Sequence, residues 1–130
     1  MATGSGYKNA ELGVDKPDEI LFLSSGQSMK TITIDPTARD ATSPLGTTYL
    51  RQGLILVPVT ATGMYKHYDE DALNGTELPE NAVVLKQLIN IGDSPVVCAA
   101  WVAGHFKASR LIVDGVFDWS AVQRIVRHPA

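Results

Sequence analysis

GLILVPVTATGMYKHYDEDALNGTELPENAVVLKQLINIGDSPVVCAAWVAGHF, residues Gly53 to Phe106, is the stretch that decides the fold. It sets short apolar runs between Gly, Asn and Pro turns, the spacing of a β-rich domain. Leu54 to Val59 has the unbroken apolar character of a buried strand, and Pro58, which lacks a backbone donor, puts its end at an edge or bulge. Met64 to Tyr68 is a second strand entered through Thr62-Gly63, and Asn74-Gly75 is a tight turn because both residues tolerate positive φ. In Ala82 to Ile91, the residues Val83, Val84, Leu85, Leu88 and Ile89 also fit one face of a helix. The β-branched density and the flanking Pro79 and Gly92 favour a strand. Val96 to Val102 is the clearest strand in the chain.

Outward from this block the pattern loosens. Met1 to Asp18 is polar and Gly-rich and reads as a mobile arm. Ile20-Leu21-Phe22-Leu23 is a short apolar run, and Met29 to Ile34 alternates with period two, turning Ile32 and Ile34 to one side. Ser24 to Gln27 supplies turn chemistry between them, so a β-hairpin or a pair of extended segments is expected. Asp35-Pro36 ends that unit, and Thr37 to Thr48, broken by Pro44 and Gly46, reads as a hinge or long loop. The expected division is therefore an N-terminal binding arm over residues 1–46 and a compact domain over 47–130. Near the C-terminus, Asp118 is placed to cap a helix with Val122, Ile125 and Val126 on its apolar face. The fold class expected is α/β but β-rich: a small mixed β-sheet domain with short helices and an extended N-terminal β-arm.

Composition narrows the function. At 130 residues the chain suits one hydrophobic core. A net charge of −3 leaves no surplus of Lys and Arg to neutralise phosphates, so nucleic acid is not an expected partner. Nor is a membrane, since the apolar runs fall well short of the roughly 20 residues that span a bilayer. Met1 to Lys16 lacks the basic start and apolar centre of a secretory signal, and the expectation is a soluble protein made in a cytoplasm. Cys98, the single cysteine, sits in an apolar run and reads as a buried structural thiol.

Catalytic groupings are missing from the pattern. His67, His105 and His128 have no diagnostic nucleophile beside them, Gly26-Gln27-Ser28 lacks the second glycine of a nucleophile elbow, and Gly4-Ser5-Gly6 lacks the context of a phosphate loop. Gly104-His105-Phe106 reads as a strand end with a half-buried ring. One metal-binding alternative stands: His67, Asp69 and Asp71 occupy alternate positions, and on a strand they would share a face, as in a small β-barrel metal-binding domain or enzyme. An EF-hand is excluded, because Leu73 and Asn74 stand where a ligand and a glycine are required. Trp101 and Trp119 are candidates for core or for interface anchors.

From about residue 45 to 115 the order of segments resembles the head decoration proteins of tailed bacteriophages, the lambda type. The resemblance is carried by Leu50 and Gly53-Leu54-Ile55-Leu56, by Gly63-Met64-Tyr65-Lys66-His67-Tyr68, by Asn74-Gly75-Thr76-Glu77-Leu78-Pro79 leading into Ala82-Val83-Val84-Leu85, and by Val97 to Gly104. This chain departs from the family in having Asn74-Gly75 where Asp-Gly is commoner, and Asn81-Ala82-Val83 where a Gly-Ile or Gly-Val pair is usual. The resemblance implies a non-enzymatic capsid cement protein without cofactor. It would bind the major capsid protein on the outer surface of the virion, assembled in the host cytoplasm, and itself as a homotrimer. It also implies an N-terminal arm that adds a strand to the capsid protein. The β-prone residues Ile20, Leu21, Phe22, Leu23, Thr31, Ile32, Thr33 and Ile34 are the expected capsid-binding set.

Overall fold

The structure is a computed structural model that describes residues 20–129; the expected mobile arm, Met1 to Asp18, lies outside them. It is β-rich, as expected, and its helical content among the described residues is confined to short 3-10 turns. The strands are β1 (Leu21–Ile34), β2 (Tyr49–Leu50), β3 (Ile55–Pro58), β4 (Tyr65–His67), β5 (Val83–Leu85), β6 (Ile89–Asn90), β7 (Val96–Lys107) and β8 (Ile125–His128). Six of them form one mixed sheet in the order β1-β4-β3-β5-β7-β8, and β1 also pairs with β7. That extra pairing closes the sheet into a small barrel, β1-β4-β3-β5-β7, with β8 lying parallel to the far half of β7. β2 and β6 form a separate antiparallel pair.

Alternation along the strands sorts the apolar side chains into two cores, one on each side of the sheet. Leu54, Leu56, Val83, Leu85, Cys98 and Ala100 face the first, together with Ile32, Ile34, Leu50, Ile89 and Ile91. Ile55, Val57, Val84 and Trp101 face the second, which is completed by Ile20, Leu21, Tyr68, Phe106, Phe117, Val122 and Ile125. Trp101 and Phe106 are five residues apart yet share a core, with ring centroids 5.4 Å apart. Strict alternation forbids that, and the irregular pairing of β1 with β7 around Ala103 to His105 supplies the change of face. Gly104 sits at this point, where a Cβ would press on the Phe106 ring and on Gln27. Gly53 is required for a similar reason: its φ is +97°, and a Cβ there would collide with the Arg110 carbonyl oxygen where residues 110–112 cross the start of β3.

Three expectations are corrected. Ile20 to Leu23 and Met29 to Ile34 do not form a hairpin. They are extended, the other arrangement expected, but as one continuous strand from Leu21 to Ile34 with Ile20 just before it, and both halves run antiparallel to β7, with Leu21 opposite Phe106 and Ile34 opposite Val96. Ser24 to Gln27 is absorbed as an irregularity in that ladder rather than reversing the chain. The domain boundary near residue 46 disappears with the hairpin, because residues 20–46 share the cores of the rest. The Thr37 to Thr48 segment is not a hinge either. Ala38 and Asp40 within it are buried, and Arg51 holds the Asp40 carboxylate through Nε at 2.8 Å and Nη2 at 2.9 Å. Asp40 also receives the Arg51 backbone N–H, which leaves the buried carboxylate satisfied.

The expected helix after Asp118 is a single 3-10 turn, Trp119–Ala121, with Asp118 accepting from the Ser120 N–H as the cap. Beyond it the chain enters β8, because the free edge of β7 offers Ile125 and Val126 a ladder that suits β-branched side chains. Ala82 to Ile91 splits into two short strands, β5 and β6.

Since Ile34 is fully buried in the first core, Ile34→Ala should lower the free energy of unfolding by about 2–5 kcal/mol. Urea denaturation measures it; an unchanged midpoint would mean that β1 is detached from the cores.

Candidate functional site

The eight residues expected to contact a capsid divide into buried and exposed sets. Ile20, Leu21, Ile32 and Ile34 are buried, 9% exposed or less, so they hold the fold and cannot be a contact surface. Phe22 and Leu23 are exposed at 41% and 42%, Thr31 is exposed and Thr33 half-buried. The register places Thr33 opposite Val97, Thr31 opposite Ala99 and Met29 opposite Trp101. Met29 is 53% and Val97 67% exposed, so the β1–β7 ribbon presents an outward strip of Met, Thr, Val and Ala side chains without charge.

The edge of the same strand is partly open. The Asp35 N–H donates to the Tyr65 carbonyl, which shows that the odd-numbered peptide groups here point away from β7 and toward β4. β4 reaches β1 only at Ile34, opposite Tyr65. The peptide groups of Met29 and Thr31 therefore face an edge that has no paired strand among the described residues. Lys30, pointing to the other side of the strand, donates to the Tyr65 hydroxyl at 2.9 Å.

His67, Asp69 and Asp71 do not assemble into a metal site. β4 ends at His67, so the alternation on which a shared face depends stops there. The chain then turns, with Asp69 Oδ1 accepting the Asp71 N–H at 3.0 Å and the Asp69 carbonyl accepting from Ala72. The lone pair of His67 Nδ1 is committed to the Arg39 N–H at 3.0 Å. Among the described residues, no group of three His, Cys, Asp or Glu side chains is placed to hold a metal ion. What these residues do form is a shallow acidic depression, lined by His67, Asp69, Glu70, Asp71 and Asp114.

The hydrogen bond from Arg39 fixes His67 as the neutral ring protonated on Nε2. Burial, reinforced by the charge of Lys66, lowers the His67 pKa from its ordinary value; Asp69 and Asp114 pull the other way and are outweighed. Tyr68, next in sequence, stays a phenol, its pKa raised by burial first and then by Glu70, and donates to the Val116 carbonyl at 2.9 Å. Cys98 is buried among aliphatic side chains, which pushes its thiol up to about 11 and removes it as a nucleophile. Trp101 is core. Trp119 is half-buried, with the Arg127 guanidinium 4.4 Å above its ring.

One cluster has no counterpart in the sequence reading. His105 Nδ1 and His128 Nε2 lie 2.9 Å apart, and Phe22 stacks on His128 with ring centroids 4.0 Å apart. No motif links positions 105 and 128. Only the parallel pairing of β8 on β7 brings them together.

Compared with models of known protein families, with curated proteins and with solved structures, the chain matches none.

Because the folded state resists protonation of His67, it binds fewer protons than the unfolded chain just below the ordinary imidazole pKa. Stability contributed by this site should be fully present above about pH 6.5 and decline as pH falls toward the lower folded value. His67→Gln, whose side-chain carbonyl can still accept the Arg39 N–H, should flatten the dependence. Urea midpoints for both proteins across about pH 7.5 to 5 test this; equal slopes would contradict it.

Proposed function

We propose that the protein is a capsid decoration protein that binds as a trimer to the expanded head of a tailed bacteriophage and stabilises the shell against internal DNA pressure. The observation that carries this reading is the combination, on one strand, of an open edge at Met29 and Thr31 with an uncharged outward strip. A partner's extended segment can satisfy the edge through main-chain hydrogen bonds while its side chains pack on the strip. The sequence resemblance adds support of a second kind. The segments that carry it fall on consecutive parts of one barrel: Gly53 to Leu56 leads into β3, Gly63 to Tyr68 contains β4, Ala82 to Leu85 contains β5, and Val97 to Gly104 lies in β7.

The major capsid protein is the proposed partner, with a second and third copy of this chain completing the trimer. Phe22, Leu23, Thr31 and Thr33 remain as the proposed contacts from the original set, joined by Met29 and Val97. A trimer bridging neighbouring capsomers adds buried area at each seam, and many copies on one shell multiply a modest contribution from each. No catalytic step is assigned to the protein.

The test is binding to purified expanded heads, read by co-sedimentation. Thr31→Pro removes a donor that faces the open edge and leaves the β7 ladder its bonds, and proline is tolerated on strand edges. It should abolish binding while Thr31→Val retains it. Phe22→Ser combined with Leu23→Ser should weaken binding by roughly tenfold or more, as loss of anchor side chains does. Decorated heads should release their DNA at a higher temperature than undecorated ones. Full binding by both the proline and the double serine variants, with equal DNA release, would overturn the proposal.

A further inference from the structure

Asn74-Gly75 is the one Asn-Gly pair of the chain; the other asparagines are followed by Ala10, Ala82 and Ile91. Such a pair carries a reaction of its own. The backbone nitrogen of the second residue attacks the side-chain carboxamide of the first and closes a five-membered imide. Glycine, with no Cβ in the way, offers the most accessible nitrogen. The reaction is slow because an amide nitrogen is a poor nucleophile and a carboxamide a poor electrophile. A base at the nitrogen and hydrogen-bond donors on the carboxamide oxygen relieve those two difficulties.

The loop after β4 supplies both. The Gly75 N–H donates to Glu77 Oε1 at 2.9 Å, within the reach required of a general base. Asn74 Oδ1 accepts the Thr76 N–H at 3.1 Å and the Thr76 hydroxyl at 2.7 Å, two donors on the oxygen that becomes negative when the carboxamide is attacked. Since a backbone N–H can only donate, the atom facing it is the oxygen, and the amide nitrogen that must leave belongs to an exposed residue. Accepting from the N–H two residues on folds the carboxamide back along the chain, over the Gly75 nitrogen. The arrangement is held from outside as well. The Asn74 carbonyl accepts the Thr60 N–H at 2.8 Å, Gly75 packs against Thr60 so closely that a Cβ would collide with it, and Thr76 is buried. An unfolded chain meets these contacts only by chance, whereas the fold fixes them before the reaction begins.

We propose that Asn74 is a self-modification site, at which Glu77 and Thr76 promote closure of the Asn74–Gly75 imide and the loss of ammonia. Glu77 takes the Gly75 proton as the bond from the Gly75 nitrogen to Asn74 Cγ forms, and Thr76 holds the charge on Oδ1. The proton then passes to Nδ2 as the Cγ–Nδ2 bond breaks and ammonia leaves. Water opens the imide at Cγ to give aspartate, or at the main-chain carbonyl to give isoaspartate, in which the chain runs through the side-chain carbon. Either product adds one carboxylate, taking the net charge from −3 to −4. Isoaspartate also lengthens the main chain by one atom inside a turn that Thr60 ties down. The change is one-way and marks the age of each molecule, and it proceeds whatever the outward strip of β1 binds.

The experiment incubates the full chain at neutral pH, folded in buffer and unfolded in urea, and follows deamidation by mass spectrometry of its peptides. The urea sample gives the intrinsic rate of the Asn74–Gly75 pair. The folded protein should react faster by roughly tenfold or more, the lower side of what a positioned base contributes. Glu77→Gln keeps an acceptor for the Gly75 N–H and removes the base, so it should bring the folded rate down toward the urea rate. Thr76→Val removes the hydroxyl donor and keeps the N–H, and should slow the folded protein by a smaller factor. In urea both variants should match the wild type, which separates positioning in the fold from any effect of sequence. A folded rate equal to or below the urea rate, an unchanged folded rate in Glu77→Gln, or modification that spares Asn74 and falls on Asn9, Asn81 or Asn90 would each overturn the proposal. The first comparison needs the wild type alone and decides the matter even if the variants fold poorly.

Discussion

The ladder between β1 and β7 is the constraint on which the rest of the structure depends. An open sheet ordered β1-β4-β3-β5-β7 would leave two long edges and expose one face of its first core. The β1–β7 pairing joins the ends, with Ile32 opposite Cys98 and Ile34 opposite Val96 at the wall of that core. β7 then serves three neighbours at once: β1 along one edge, and on the other β5 at Ala100 and Trp101 followed by β8 from Gly104 to Lys107. Such a strand must carry apolar side chains on both faces, and Val96 to Val102 is accordingly almost continuous in Val, Ala, Cys and Trp. The change of face at Gly104 extends this service. It keeps Phe106 in the second core after Trp101 and lets His105 leave it.

Closure also explains why the segment between β1 and β2 is packed rather than free. Once β1 is fixed on β7 and β2 on β6, the intervening chain must pass close to the barrel wall. Asp40 is the point of attachment, buried with its carboxylate bonded to Arg51 and its own N–H donating to the Thr47 carbonyl. Breaking one half of such a buried pair leaves an uncompensated charge, so the two residues specify this path more than they add net stability. The Arg51 pKa is raised by the hydrogen bond to Asp40, which keeps the cation in place at any pH at which the protein folds.

Local elements were legible in the sequence where one rule governed them. The apolar run before Pro58, the Gly63-led strand at Tyr65 and the continuous run after Pro95 all became strands, because their burial on one or both faces writes directly into the residue pattern. Long-range pairing was not legible. Ile20 to Leu23 and Met29 to Ile34 read as self-contained because their partner lies some seventy positions away in β7, and sequence spacing carries no record of it. The segment after Asp118 failed for a different reason. A cap followed by Val122, Ile125 and Val126 fits a helix and a turn entering a strand equally well, and the unoccupied edge of β7 decided between them. At His67 the alternation rule was applied past the end of a strand. The His105–His128 pair had no signal at all, since two lone histidines acquire meaning only when β8 is laid beside β7.

The two cores take up most of the large aliphatic and aromatic side chains, and this limits how the molecule can bind anything. Leu45, Leu73 and Val116 are exposed in loops, far apart in sequence, whereas Phe22, Leu23, Met29 and Val97 belong to the one ribbon that closes the barrel. A surface with so few apolar anchors gives modest affinity for a single copy, because a handful of buried side chains supplies most of the energy of an interface. Main-chain hydrogen bonds along an open edge and repetition over many equivalent sites are the two ways to compensate, and both fit a lattice better than a soluble single partner. On the proposed reading, the strand that closes the fold is also the one that faces the shell. Binding there would stiffen the β1–β7 ladder, so the stability of the protein and its hold on the partner would rise and fall together.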